Sequence, residues 1–205
     1  MFGYCFSLNS VKDLIQSLLT DEYLFDYRLL ERIVERKSDP KDSIWVRPLS
    51  IGDYEKGFVQ VLGQLTKVGD ITKEQYAERF KKMKASGDYY VIVAEDRNIG
   101  KVIASATLLV EQKFIHDCAL RGRLEDVVVS DKYRGKALGQ LMVRTVSLLA
   151  QRLRCYKLSL DCKDNVINFY EKLGFTKEPA NGNSLNARFD YPNPTKNPTA
   201  GIIST

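Results

Sequence analysis

The sequence predicts an α+β protein with a mixed, mostly antiparallel central sheet flanked by helices. Three observations carry this. Short alternating or buried-looking apolar runs recur along the chain. The first ones follow each other across a tight turn, the mark of a hairpin. Later ones are separated by a long helical stripe, the mark of a β-α-β crossover.

Residues 10–37 read as helical: Leu14, Leu18 and Leu19 share a face, and Leu29, Leu30, Ile33 and Val34 repeat at helical spacing. Pro40 ends that pattern by disfavouring helix at Asp39. Residues 1–42 are therefore expected to form a helical N-terminal extension to a domain at 43–189. Ile44 to Leu49 alternates as a first strand. Ser50 with Asp53, and Thr72 with Gln75, are capping-box pairs opening two helices. The first carries Tyr54, Phe58, Val61, Leu62 and Leu65; the second carries Tyr76, Phe80 and Met83 and stops at Gly87. Tyr89–Glu95 and Lys101–Glu111 flank Asp96-Arg97-Asn98-Ile99-Gly100 and predict a hairpin.

Leu124–Val129 is a further strand. The apolar stripe Leu138, Leu141, Met142, Thr145, Leu148, Leu149 and Leu153 is a long helix. Tyr156–Cys162 is a strand, and Val166, Phe169, Tyr170 and Leu173 make a short helix ended by Gly174. Ser184–Phe189 completes the set. Residues 190–205 hold three of the six prolines and read as a disordered tail.

The net charge of +5 divides unevenly. Residues 1–40 carry five basic and seven acidic side chains, or −2; residues 41–205 carry 26 basic against 19 acidic, or +7. A moderately basic domain suits an anionic partner. The cations near the motifs below form no stripe at helical spacing, which favours small phosphorylated ligands over nucleic acid. No apolar run approaches the roughly 20 residues of a membrane span, and no secretory leader is evident at the N-terminus. Cys5, Cys118, Cys155 and Cys162 form no CxxC pair, and His116 is the one histidine. That composition argues against a metal site or disulfide framework and for a cytoplasmic protein.

The chemistry concentrates after Leu124. A strand ending in Val127, Val128 and Val129 runs into Arg134-Gly135-Lys136-Ala137-Leu138-Gly139 and a helix. Small residues keep Cβ bulk off the turn, and a helix start presents unpaired N–H groups with a positive dipole end. Such a loop holds phosphate. As a bare pattern it is equally an ordinary solvated basic turn, since it is neither a Walker loop nor a full GxGxxG. Glu125 and Asp126 are adjacent carboxylates, able to share one pocket only if the strand is bulged.

Arg134-x-x-Ala137-x-Gly139 resembles the acetyl-CoA loop of the GCN5-related N-acetyltransferase (GNAT) superfamily, with Ala137 where glycine is usual. Asn165 to Phe175 resembles that superfamily's second signature. Val61–Thr66, Ser86–Tyr90, Lys113-Phe114-Ile115-His116, Glu125–Val129 and Cys155–Leu158 are similar to one family within it, the glucosamine 6-phosphate N-acetyltransferases. The resemblance spans 44–189.

It implies acetyl transfer from acetyl-CoA to the amine of D-glucosamine 6-phosphate by direct attack in a ternary complex, on the route to UDP-N-acetylglucosamine. It implies that Val127, Val128, Val129 and residues 134–139 grip coenzyme A, with Asn165 and Lys172 as further contacts. Tyr170 would protonate the departing sulfur; without the resemblance it reads as the polar edge of a packed helix. Glu125, Asp126 and Asp161 would serve the amine. Thr66, Lys113, Phe114, Ile115 and His116 would meet the sugar phosphate, although a lone histidine is more often an ordinary hydrogen-bonding residue. Arg188 would reach the phosphate of a neighbouring subunit, which implies a homodimer. No metal is implied. Two other readings remain: a GNAT enzyme with a different amine acceptor, and a non-catalytic acetyl-CoA-binding module whose N-terminal segment binds a partner.

Overall fold

Among the described residues, five strands form one sheet in sequence order, β1 (Ile44–Pro48), β2 (Tyr89–Asp96), β3 (Lys101–Gln112), β4 (Leu120–Val129) and β5 (Cys155–Ser159). The computed structural model describes residues 22–31, 33 and 43–178. β1 to β4 pair antiparallel, and β5 joins β4 parallel. Among the described residues, four right-handed helices accompany them, α1 (Phe58–Leu62), α2 (Lys73–Ser86), α3 (Leu138–Arg152) and α4 (Ile167–Glu171), and the short Ile115–Cys118 segment turns with left-handed φ at His116 and Asp117. The mixed α+β architecture matches the sequence expectation. The expected last strand at 184–189, Arg188 with it, and the tail lie outside the described residues.

Alternation along the strands builds two cores. On β2, Ile92 and Ala94 face a cluster with Leu108 of β3 and Met142, Val143, Val146 and Leu149 of α3. Val91 and Val93 face the opposite cluster, with Phe58 and Val61 of α1 and Tyr76 and Phe80 of α2. Successive side chains point to opposite faces, so one strand serves both. Both capping boxes form: Ser50–Asp53 opens a 3-10 turn at Ile51–Tyr54 and Thr72–Gln75 opens α2, which Gly87 closes in the left-handed region. The first helix is shorter than its apolar stripe, because Gly57 breaks it from the 3-10 turn.

Two expectations need correction. The helical reading of 10–37 fails in its described part, which holds a 3-10 turn at Tyr27–Leu29 and a bridge from Tyr23 to Ser50. The helical spacing is satisfied instead by packing on the sheet. Leu30 (1% exposed) enters one core and Leu24 (3%) the other. Leu24 N–H also donates to the Leu49 carbonyl at 2.8 Å. Residues 22–31 and 33 are thus an integral layer of the fold. Second, β4 begins at Leu120, four residues before Leu124. Gly122 lies in this added stretch and is needed for close approach, since a Cβ there would lie 2.9 Å from Leu158 Cδ1 and 3.0 Å from Leu108 Cδ1.

Candidate active site

β4 and β5 part company halfway along. Their pairing runs from Leu120↔Cys155 to Arg123↔Ser159 and ends there. From Leu124 to Val129, the edge of β4 facing away from β3 has no strand partner among the described residues. Such an edge offers N–H and C=O groups to an extended ligand.

A bulge sits at the start of this open stretch. On the β3 side, Thr107 pairs with Glu125 and Ser105 with Val128, so β4 carries an extra residue, and Asp126 adopts φ 50°. The bulge resets the alternation. Leu124 and Val127 both pack on the α3 side, while Val128 enters the opposite core. This is the condition under which the two adjacent carboxylates can act together. The surrounding protein, and then the neighbouring Glu125 charge, push the Asp126 carboxyl above its ordinary value.

Arg123 ties this stretch to β5. Its Nε donates to Glu125 Oε1 at 2.9 Å, and its Nη2 donates to Asp161 Oδ2 at 2.8 Å. Two of the three expected carboxylates are therefore joined by one guanidinium, which raises the arginine pKa further. Sequence reasoning missed Arg123. Its one signal was spacing two from Arg121 and Glu125, a strand face that reads as a loop until Gly122 is recognised as sheet.

The expected phosphate loop is a shaped turn. After a 3-10 turn at Asp131–Tyr133, Gly135 lies at φ 78° and Ala137 at φ 58°, and α3 starts at Leu138. Gly135 has no cost in that region, whereas Ala137 carries strain of about 1–2 kcal/mol. Val129, Tyr133, Arg134, Gly135, Ala137, Leu138, Gly139, Gln140 and Phe169 line a cavity of about 370 Å³ over the helix start. The loop is anchored from outside. Gln64 Oε1 accepts the Asp131 N–H at 2.8 Å, and Tyr133 Oη donates to Asp96 Oδ2 at 2.6 Å. Lys136 Nζ lies 4.8 Å from the centre of the Tyr133 ring. The cradle of positive-φ residues, the helix N-terminus and the two basic side chains fit a pyrophosphate.

Tyr170 lies on α4 beside this cavity, packed edge-on to Phe169 (5.0 Å between centroids) and Phe175 (5.9 Å). Burial, with a smaller contribution from Cys162, pushes its phenol above the ordinary value. The group is a neutral O–H donor at physiological pH. Asn165 lies in a 3-10 turn at Asp164–Val166, and Lys172 caps α4; both are exposed.

The remaining expected residues are spread more widely. Thr66 is exposed past the end of α1. Lys113 pairs with Glu111 at 2.6 Å. Phe114 (96% exposed) and Ile115 (62%) project from the β3–β4 turn. His116 lies in that turn at φ 53°, its ring 4.5 Å from the Tyr156 ring. No described contact joins Thr66 or His116 to the carboxylates. No cluster of potential metal ligands occurs among the described residues.

Comparison with known proteins agrees with this geometry. The model of the Acetyltransferase (GNAT) family matches residues 60–175. A probable glucosamine 6-phosphate N-acetyltransferase of Drosophila melanogaster is 52% identical over 186 residues, covering 84% of each chain. Glucosamine 6-phosphate N-acetyltransferase 1 of Dictyostelium discoideum is 43% identical over 138 residues, 67% of this chain and 87% of that one. The crystal structure of the Arabidopsis thaliana glucosamine-6-phosphate N-acetyltransferase superposes with a TM-score of 0.69 at 35% identity, covering 73% of this chain and all of that one. The chain belongs to the GNAT acetyltransferase family and, within it, to the relatives that carry the name glucosamine 6-phosphate N-acetyltransferase.

Proposed function

We propose that this protein transfers the acetyl group of acetyl-CoA to the amine of D-glucosamine 6-phosphate, giving N-acetyl-D-glucosamine 6-phosphate and coenzyme A. The observation that carries the reading is the meeting, at one split in the sheet, of a phosphate-shaped loop, an open strand edge and a carboxylate cluster. The names of the relatives supply the acceptor.

Acetyl-CoA brings the activated thioester. The turn from Arg134 to Gly139 is the seat for its pyrophosphate, with Arg134 and Lys136 adding charge. The free edge of β4 at Val127–Val129 orients the pantetheine arm and presents a backbone N–H to the thioester oxygen. Asn165 and Lys172 are further cofactor contacts by the sequence resemblance. Asp126 takes up the proton that the substrate ammonium loses, so that the free amine attacks the thioester carbon, which suits its raised carboxyl pKa. Glu125 and Asp161 orient the amine. Tyr170 Oη delivers a proton to the departing sulfur. Direct attack fits the absence of a Cys–His or Ser–His pair suited to acyl transfer among the described residues.

The sugar phosphate falls to Thr66, to the Lys113-Phe114-Ile115-His116 turn and to Arg188. We assign Arg188 to the neighbouring subunit's site, and with it a homodimer. These assignments rest on the sequence resemblance, as do the place of the reaction before UDP-N-acetylglucosamine and the domain limits 43–189. Cytoplasmic location rests on the cysteine usage, since Cys118, Cys155 and Cys162 are free thiols.

A thiol-release assay tests the acceptor. Coenzyme A should appear rapidly with glucosamine 6-phosphate and far more slowly with glucosamine. Equal rates with the two sugars would move the assignment to another amine.

A further inference from the structure

We infer that Arg123 is a positioning residue of the acceptor site, holding Glu125 and Asp161 in fixed relation across the mouth of the β4–β5 split. The inference rests on the acceptor reading above and names a residue that the sequence motifs did not single out.

The placement follows from strand parity. Gly122 is buried against Leu158 and Leu108, and Leu124 is buried in the same α3-side core, so Arg121, Arg123 and Glu125 share the opposite face. Leu158 and Leu160 pack against the same core, so Ser159 and Asp161 lie on the face of the arginines. Arg123 and Ser159 are the last paired residues. Beyond them, among the described residues, no backbone bonding holds the two strands at a set separation. Glu125 lies two residues past that point on β4, and Asp161 two residues past it on the β5 side. Their relative position therefore depends on side chains.

Arg123 supplies the tie with two different nitrogens. Nε serves Glu125 at 2.9 Å and Nη2 serves Asp161 at 2.8 Å. Among the described residues, this is the one hydrogen bond that the Asp161 side chain makes. A planar, rigid fork can hold two carboxylates in one geometry, which a single ammonium cannot. Arg121 braces the last paired step from beside it, donating from Nη2 to Ser159 Oγ at 3.0 Å. The guanidinium also offsets part of the negative charge of Glu125, Asp126 and Asp161, three carboxylates at one opening. Glu125 and Asp161 are thereby presented as hydrogen-bond acceptors to the incoming ammonium. Asp126 receives no hydrogen bond from Arg123, which leaves the proton-accepting role to it.

The expected signature is selective for the acceptor. Arg123→Gln should raise KM for glucosamine 6-phosphate by about tenfold or more, with KM for acetyl-CoA within about twofold. Arg123→Lys should recover only part of the loss, because it restores charge without the fork. A double-mutant cycle adds a readout that a merely structural role would not move. In an Asp161→Asn background, Arg123→Gln should cost no more than about twofold further. Multiplying losses in the cycle would overturn the proposal, as would equal effects on the two KM values or an unchanged acceptor KM. If the unmodified enzyme turns over a different amine instead, the acceptor assignment fails. The same cycle run with that amine then decides the role of Arg123 separately.

Discussion

Arg47 and Asp53 form a fork-to-fork ion pair with no exposed side-chain surface on either partner. Nη1 meets Oδ2 at 2.8 Å and Nη2 meets Oδ1 at 2.6 Å. Asp53 Oδ2 also accepts the Ser50 N–H at 2.7 Å, so the capping box that starts the turn after β1 is fused to a buried arginine. Glu95 of β2 completes the cluster through Arg47 Nε at 3.0 Å, with Lys56 at 3.1 Å. The cluster fixes the Ile51–Tyr54 turn against the sheet.

Removing one partner should be costly. Asp53→Ala leaves a buried guanidinium short of its acceptor and should lower stability by about 3–5 kcal/mol, read from denaturant unfolding. Acid should weaken the same cluster. Burial alone would raise the Glu95 carboxyl, but its bonds to Arg47 and Lys56 more than offset that and hold it below the ordinary value. Its stabilisation is complete above the unfolded carboxyl pKa and is lost as pH falls through the lower native one.

Asp126 carries the opposite sign. Its native carboxyl pKa is raised, so the folded state binds the proton more tightly than the unfolded chain. The penalty is absent below the unfolded value, grows between the two values and is complete above the native one. Asp126→Asn should therefore raise Tm at neutral pH while kcat falls by about 10²-fold or more. Asparagine also tolerates the φ of 50° at this bulge. Lower stability together with full activity would remove Asp126 from the proton-accepting role.

Tyr170→Phe keeps the ring packed between Phe169 and Phe175 and deletes only the hydroxyl. Turnover should drop by about 10²-fold, with KM for both substrates within about threefold, as expected for a group acting on the leaving sulfur. Steady-state kinetics with unchanged thermal melting provide the check.

The strained N-cap of α3 gives a third handle. Ala137→Gly should leave coenzyme A affinity unchanged. Ala137→Val puts a β-branched side chain at φ 58° and should lose about 1–2 kcal/mol of stability together with cofactor affinity. Calorimetric titration with coenzyme A distinguishes the two.

The N-terminal layer makes a prediction about domain limits. Leu30→Ala removes a side chain that is 1% exposed and should cost about 2–5 kcal/mol. Deleting residues 1–40 removes Leu24 as well, and should lower Tm far more than a surface arm would.

Local signals were legible in the sequence where the physics is local. Ser50–Asp53 and Thr72–Gln75 were visible because a capping box needs only four residues, and the 89–111 hairpin because its turn is short. Residues 22–31 and 33 misled because leucines packing onto a sheet from an irregular segment can mimic helical spacing. The start of β4 was hidden by Arg121, Gly122 and Arg123, whose polarity reflects an open cleft and whose glycine answers to Leu158 and Leu108. At the site, the motifs pointed to the shaped turn before α3 and to Tyr170. The Asp126 bulge and the Arg123 tie were not, because each depends on where the strands separate in space.

The most direct test follows a labelled acetyl group. Enzyme, acetyl-CoA carrying 13C in its acetyl carbonyl, and glucosamine 6-phosphate are mixed, and the product is read by NMR. The account predicts that the label appears as an amide on the sugar's 2-amino nitrogen, in step with coenzyme A release. Coenzyme A seat occupied, yet no amide on that nitrogen, would contradict it.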